Sequence, residues 1–375
     1  MSKYPGESVV LGGAAPALRP AAATNVAPEF VITECMTAGE SVAAVFRRLA
    51  ARIAASDAEL LSLMIYGSVA AREKIAGAMR GVLGETQWPV TWVEGASCGR
   101  TALAGVQAFA LSGRPVARVR VAGRIVGSVY EDGGARHCLL GGLGPSAVSV
   151  AAPAQVEQTF DNLERALDQA GFELGDVVRT WFYNDDILAW YDGFNRVRSA
   201  HYANVQWRTG SLPASTGIGA RNIDGAALSV GAWAMRPLTA AATAREIGSP
   251  LQCPAPAYGS AFSRAVEFTS GGWRRLLISG TASINPDGKT AWVGDPAKQV
   301  DLTMEVIAAL LRSRGMNFHD VTRATAYYRG RTCQPCFEAW LAARELQTMP
   351  VVHTRSVICR DDLLFELELD ACKSA

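Results

Sequence analysis

Several things are missing from this sequence, and each absence removes a class of function. No stretch of 18 consecutive apolar residues occurs, so no membrane-spanning helix is expected. The first 30 residues lack the basic flank and apolar core of a secretory leader, and their Ala/Pro/Gly-rich run reads as a poorly ordered tail. There is almost no net charge. Thirty-six Lys and Arg stand against 35 Asp and Glu, which leaves little with which to hold a polyanion and argues against nucleic acid. The four histidines, His137, His201, His319 and His353, fall in no metal-binding spacing, so no metal is expected. No Gly-x-Ser-x-Gly elbow is present. The glycines at 141, 142 and 144 run into Pro145 instead of opening a helix, which is not the form of a nucleotide-cradling loop.

What is present begins with cysteine. Eight cysteines are scattered without a disulfide framework, which points to a reducing, cytoplasmic setting with free thiols. Cys333-Gln334-Pro335-Cys336 has the CxxC spacing of thiol oxidoreductases, but its flanks do not form their strand–helix–strand pattern. A length of 375 residues allows one to three domains.

Internal similarity organises the chain. QVEQTFDNLERALDQAGFELGDVVRTWFYND starts at Gln155, and QVDLTMEVIAALLRSRGMNFHDVTRATAYYRG starts at Gln299, an offset of 299 − 155 = 144. It carries Thr159 onto Thr303, Gly171 onto Gly315, Arg179 onto Arg323 and Tyr183 onto Tyr327. Each copy reads as a strand, an amphipathic helix ended by glycine, a second strand, a second helix, and a Pro-led pair of strands. A truncated third copy sits at the front, with a strand at 60–66, a helix at 69–83 and another Pro-led pair from Trp88-Pro89. The expected fold class is α+β, with two whole units and one partial unit packed about a pseudo-threefold axis. The expected division is a tail at 1–37, an N-terminal region at 38–240 holding the truncated unit and one full unit, and a C-terminal domain at 241–375 that carries the catalytic residues. Clefts between units are the natural ligand sites.

The closing run, RSVICRDDLLFELELD, reads as a hairpin. Glu366, Glu368 and Asp370 alternate with Phe365, Leu367 and Leu369, so the three acids share one strand face. They either face solvent or supply a carboxyl for acid–base work near Arg355 and Cys359. Arg179 and Tyr183, four apart on a strand, also share a face.

The unit resembles the RidA/YjgF fold, a family of small trimeric α+β proteins. The GTAS strand end at 280–283, the Gln299…Thr303 helix, the Tyr327-Tyr328 strand and the run Pro350…Arg355…Glu366-Leu367-Glu368 carry the likeness. The resemblance implies that Arg355 binds a substrate carboxylate and that Glu366 serves the chemistry, although the turn between them is shorter here. Over positions 130–372 the chain is more similar to the chorismatases, which have a RidA-like fold in one long chain. The matching features are VYEDGGARH, RTWFYNDDILAWYDGFNRVR, LPASTGIGA, SGGWRRLLISGTAS and the Cys359-x6-Glu366 spacing. This resemblance implies cofactor-free cleavage of chorismate with Glu366 as proton donor. Gly272 with Cys359 implies the 3-hydroxybenzoate-forming subtype, with pyruvate as second product. Chorismate's two carboxylates ask for cationic or donor-rich sub-sites, for which Arg179, Tyr183, Arg208, Ser215 and Arg355 are candidates. A RidA-like hydrolase of enamines and imines, or a module that binds a small metabolite, is the alternative. The expected state is a monomer with internal pseudo-threefold symmetry or a homotrimer.

Overall fold

The computed structural model describes residues 29–95 and 101–375. The first unit is β1 (Glu29–Cys35), α1 (Val42–Ala55), β2 (Ala58–Gly67), α2 (Arg72–Leu83), β3 (Val90–Val93) and β4 (Leu103–Ser112). The second is β5 (Ala117–Val121), β6 (Arg124–Glu131), β7 (Ala135–Leu143), α3 (Ala152–Gln169), β8 (Val177–Asn184), α4 (Ile187–Tyr202), β9 (Ala214–Gly219) and β10 (Leu228–Pro237). The third is β11 (Thr243–Ile247), β12 (Ala265–Ser270), β13 (Trp273–Ala282), α5 (Pro296–Ser313), β14 (Val321–Tyr328), α6 (Cys333–Ala342), β15 (Val351–Arg355) and β16 (Phe365–Ser374).

The three sheets share one plan. Their strand orders are β1-β4-β2-β3, β5-β6-β7-β10-β8-β9 and β11-β12-β13-β16-β14-β15. The front unit therefore has the common four-stranded core and lacks only the outer hairpin that opens the other two. Its first strand and helix, β1 and α1, were not legible in the sequence. β1 is buried, so the tail expected through residue 37 gives way to ordered strand by residue 29; residues 1–28 lie outside the described residues.

Each helix pair covers the outer face of its own sheet. On α3 the buried Val156, Phe160, Leu163 and Leu167 recur at three- and four-residue steps, and they close onto β7, β8 and β10. The inner faces of all three sheets meet in one central cluster that includes Tyr66, Phe109, Trp181, Tyr183, Trp233, Phe268 and Tyr327. With helices outside and other sheets inside, the middle strands are buried on both faces. All eight residues of β8 and of β14 are buried, which is why these strands read as unbroken apolar and β-branched runs.

The contacts between sheets follow a cycle. β3 lies against β7, where the Gly142 N–H donates to Thr91 Oγ1 at 3.0 Å. β9 lies against β13, where the Ser215 N–H donates to Ser279 Oγ at 2.8 Å. β15 lies against β1, where the Cys35 thiol donates to the Val351 carbonyl at 3.1 Å. Among the described residues no helix is long and apolar enough to cross a membrane.

The closing run is not a hairpin. β15 pairs in parallel with β14, and β16 pairs antiparallel with the other side of β14, so β14 separates them. The intervening loop, 356–364, crosses over the end of β14. The three acids consequently sit on a central strand and not on a solvated edge. Glu366, Glu368 and Asp370 are all buried.

Candidate active site

Register shows what is special about the third unit. On the paired strands, Tyr66 faces Gly105, Tyr183 faces Ser229, and Tyr327 faces Glu366. The same position thus holds glycine, serine and glutamate in the three units. Two residues on, the series is Gln107, Gly231 and Glu368. Only the third unit carries carboxyls there.

Glu366 forms part of the floor of a cavity of about 700 Å³ between the second and third units. β9 contributes Ser215 and Gly217, and α4 contributes Tyr191, Asn195 and Arg198. The 17-residue loop between β11 and β12, residues 248–264, contributes Tyr258, Phe262 and Arg264. The loop in the same place in the second unit has two residues, 122–123. This insertion, PLQCPAPAYGSAFSR, is the wall that makes a junction into a pocket. Cys359 and Arg360 enter from the crossover loop before β16.

Glycine at 280 is required by the floor. A Cβ there would overlap Glu366 Oε1. The Gly280 N–H donates to Thr216 Oγ1 at 3.0 Å, which fixes the turn of β13 against β9.

Two carboxyls on one strand face behave oppositely. Burial pushes Glu366 up to about 8; the anionic Glu368 adds to this, and Arg179 and Arg264 oppose it. Glu366 has no hydrogen bond or ion pair among the described residues. Burial also works against ionisation of Glu368, but Arg323 and Arg179 outweigh it and hold that carboxyl at about 2. Glu368 accepts from Arg179 Nη2 at 2.5 Å, Thr216 Oγ1 at 2.5 Å, Arg323 Nη1 at 2.9 Å and Tyr327 Oη at 3.3 Å. Burial raises the Cys359 thiol to about 12, helped by Glu366, so it stays protonated at neutral pH.

Cations line the cavity. Arg264 is 4% exposed, donates through Nε and Nη2 to the Cys253 carbonyl at 3.0 and 2.9 Å, and stacks on Tyr258 and Phe262. Arg198 is 1% exposed, lies over Phe194 and donates to Asn195 Oδ1 at 2.6 Å. Guanidinium groups fixed in this way meet anions at little further entropic cost.

Of the sequence candidates, Glu366, Cys359 and Ser215 line this cavity together. Arg179 lies directly behind the floor, wholly buried. The others are elsewhere. Tyr183 is in the central cluster beside Tyr66 and Tyr327. Arg208 pairs with Asp176, which it shares with Arg236. Arg355 is exposed and lines a separate cavity of about 590 Å³ with Arg221 and Arg329. It is carried there by the parallel pairing of β15 with β14. Gly272 is the exposed turn of the β12–β13 hairpin, at φ +76°, with open space around it. The glycine that meets the cavity is Gly280. Arg264 and Arg198 carried no signal in the sequence, because they sit on an insertion and on a helix whose kink at Trp190 sets its direction.

One cluster of metal-ligand types lies away from the cavity, formed by the buried Glu29, Asp132 and His137. Arg275 already occupies it, at 2.9 Å from Glu29 Oε2, and His137 Nε2 is 3.0 Å from Asp132 Oδ2. The charge that a metal would bring is supplied by arginine.

Comparison with known proteins locates the fold. Residues 142–234 match the endoribonuclease L-PSP family model. No curated protein matches the chain. A chorismatase crystal structure superposes with a TM-score of 0.64 at 19% identity, covering 93% of this chain and 100% of that one. Yeast Mmf1 (14% identity, TM-score 0.29) covers 35% of this chain and 100% of its own. The Escherichia coli YjgF gene product (17% identity, TM-score 0.28) covers 34% and 97%. The fold is that of tandem RidA/YjgF-like units, arranged as in the chorismatase.

Proposed function

We propose that the chain cleaves chorismate to 3-hydroxybenzoate and pyruvate, with Glu366 as the acid. The observation that carries this reading is an unpaired, desolvated carboxyl on the floor of a 700 Å³ cavity whose other charged lining is mostly arginine. A carboxyl held up to about 8 is largely protonated at neutral pH and can give its proton to an enolpyruvyl methylene. The oxocarbenium ion that forms carries positive charge beside the new Glu366 carboxylate, which stabilises it. The ring hydroxyl then displaces pyruvate at the neighbouring ring carbon, and the resulting arene oxide opens and aromatises. Ten carbons, ten hydrogens and six oxygens divide between the two products with no water added or lost.

Arg264 and Arg198 are the groups we assign to the two substrate carboxylates, with Ser215 as a further donor. They replace Arg208 and Arg355, which lie outside the cavity. Cys359 supports the hydroxybenzoate outcome because its neutral thiol faces the cavity beside Glu366, where it can steer or protonate the ring intermediate. The imine-hydrolase alternative gives Arg355 a substrate carboxylate and Glu366 the chemistry, and these two residues line separate cavities.

The test is purified protein incubated with chorismate and followed by chromatography with mass detection. Equimolar pyruvate and 3-hydroxybenzoate are expected from the wild type, and loss of at least about 100-fold in kcat from Glu366→Gln with unchanged circular dichroism. A dihydroxycyclohexadiene carboxylate in place of 3-hydroxybenzoate would refute the product assignment. Untouched chorismate would refute the reaction.

A further inference from the structure

Glu366 and Glu368 lie two residues apart on β16, on the same face, yet their surroundings differ completely. Glu368 is wholly enclosed and takes hydrogen bonds from two arginines, a threonine and a tyrosine. Glu366 takes none. The division is made by Arg179. This guanidinium acts on both carboxyls, and its Nη groups are bonded away from Glu366, Nη1 to the Ile278 carbonyl at 3.0 Å and Nη2 to Glu368 and to Thr216 Oγ1 at 2.8 Å, while its buried Nε has no partner among the described residues. The Thr216 hydroxyl is saturated too. It gives its one proton to Glu368 and accepts from Arg179 and from the Gly280 N–H.

Resting on the reading of Glu366 as the acid, we infer that Glu368 is a positioning residue for it. By engaging Arg179 and Thr216, Glu368 denies Glu366 a cationic partner and leaves its carboxyl unpaired at the cavity floor. The charged and titratable groups that act on Glu366 or line its cavity from other elements are Arg179 on β8, Tyr327 on β14, Tyr191, Asp192, Arg196 and Arg198 on α4, Tyr258 and Arg264 before β12, and Cys359 and Arg360 on the crossover loop. Arg179 is the cation among them that a carboxylate at position 368 holds from behind. Without that carboxylate, Arg179 becomes the natural partner of Glu366 and draws it into the ionised form, in which it has no proton to give.

The experiment is a carboxyl 13C titration of glutamate-labelled protein, with the Glu366 signal identified by its loss in Glu366→Gln. It needs no turnover, so a failure of the chorismate assignment stays separate from a failure of this inference. Glu368→Gln is expected to lower the Glu366 midpoint by about 1 unit or more. If the chorismate reading holds, the alkaline limb of the kcat profile moves with it, with a smaller change in KM. The charge-balanced double variant Arg179→Gln/Glu368→Gln removes anion and cation together. It is expected to return the midpoint to within about half a unit of the wild-type value, a rescue that a merely structural role does not give. If Glu368→Gln does not fold, the double variant alone decides. An unchanged or raised midpoint in Glu368→Gln, or a midpoint in the double variant about 1 unit or more below wild type, would overturn the inference.

Discussion

At the scale of single residues, the site is a contrast between neighbours that ionise in opposite senses. This makes stability depend on pH from both ends. Glu368 has a folded value of about 2, below the ordinary 4.5, so its contribution is present above pH 4.5 and is lost as pH falls towards 2. Glu366 has a folded value of about 8, above the ordinary 4.5. Its protonated form is favoured in the fold, so stability falls as pH rises from about 4.5 to about 8. Glu366→Gln abolishes that second loss. The expected result is a variant whose melting temperature declines by several degrees less than wild type between pH 6 and 9, measured by differential scanning calorimetry. Parallel declines would contradict the buried, unpaired state of Glu366. Gly280 gives a second prediction at this scale. Gly280→Ala drives a methyl into Glu366 Oε1, so kcat should fall about tenfold or more while thermal stability moves by only about 1–3 kcal/mol. In the sequence, the alternation of acids on β16 was legible and the choice of Glu366 followed from resemblance. The opposite roles of the two glutamates were not legible, because they are set by Arg179 on a strand nearly 190 positions away.

At the scale of elements, the cavity is made by an insertion. The repeat offset of 144 read from the sequence holds from α3 and α5 through β8 and β14. It fails at the loops, and the loops build the walls. Residues 283–295 number 13 where the second unit has 8, and residues 248–264 number 17 where it has two. A loop has no period, so nothing in the pattern of 248–264 announced that Arg264 would be turned inward and stacked between Tyr258 and Phe262. Arg264→Ala should therefore raise KM about tenfold or more with a smaller effect on kcat, as expected for removal of a ground-state carboxylate contact. An equal loss in kcat and kcat/KM would assign Arg264 to the chemical step instead. The hairpin reading of the last two strands failed for a related reason. A polar break between two apolar runs signals a reversal but does not distinguish a tight turn from a crossover past a third strand.

At the scale of the molecule, three sheets share one interior. Glu368 of the third unit is held by Arg179 of the second, and Arg323 of the third donates to Gln107 of the first at 3.1 Å. Buried charges with partners across a junction make each unit a poor independent folder, since separation leaves them unpaired. The division at residues 240 and 241 is thus proposed as a boundary of repeats and not of stability. Expressed alone, 29–240 and 241–375 should be insoluble or lack fixed tertiary structure by near-ultraviolet circular dichroism, and co-expression should recover a one-to-one complex. A folded, soluble 241–375 would show that the shared interior is dispensable. The repeat plan was legible because both periods survive in the sequence, whereas the cyclic contact of β3 on β7, β9 on β13 and β15 on β1 leaves no local mark. That cycle has a consequence for inheritance. In a ring of identical chains, one codon writes the same residue into every junction, and a reactive floor must also be tolerable wherever it is copied. A continuous chain breaks this coupling. Gly105 and Ser229 stand where Glu366 stands, so a single gene can change the residue at one junction without copying the change into the other two.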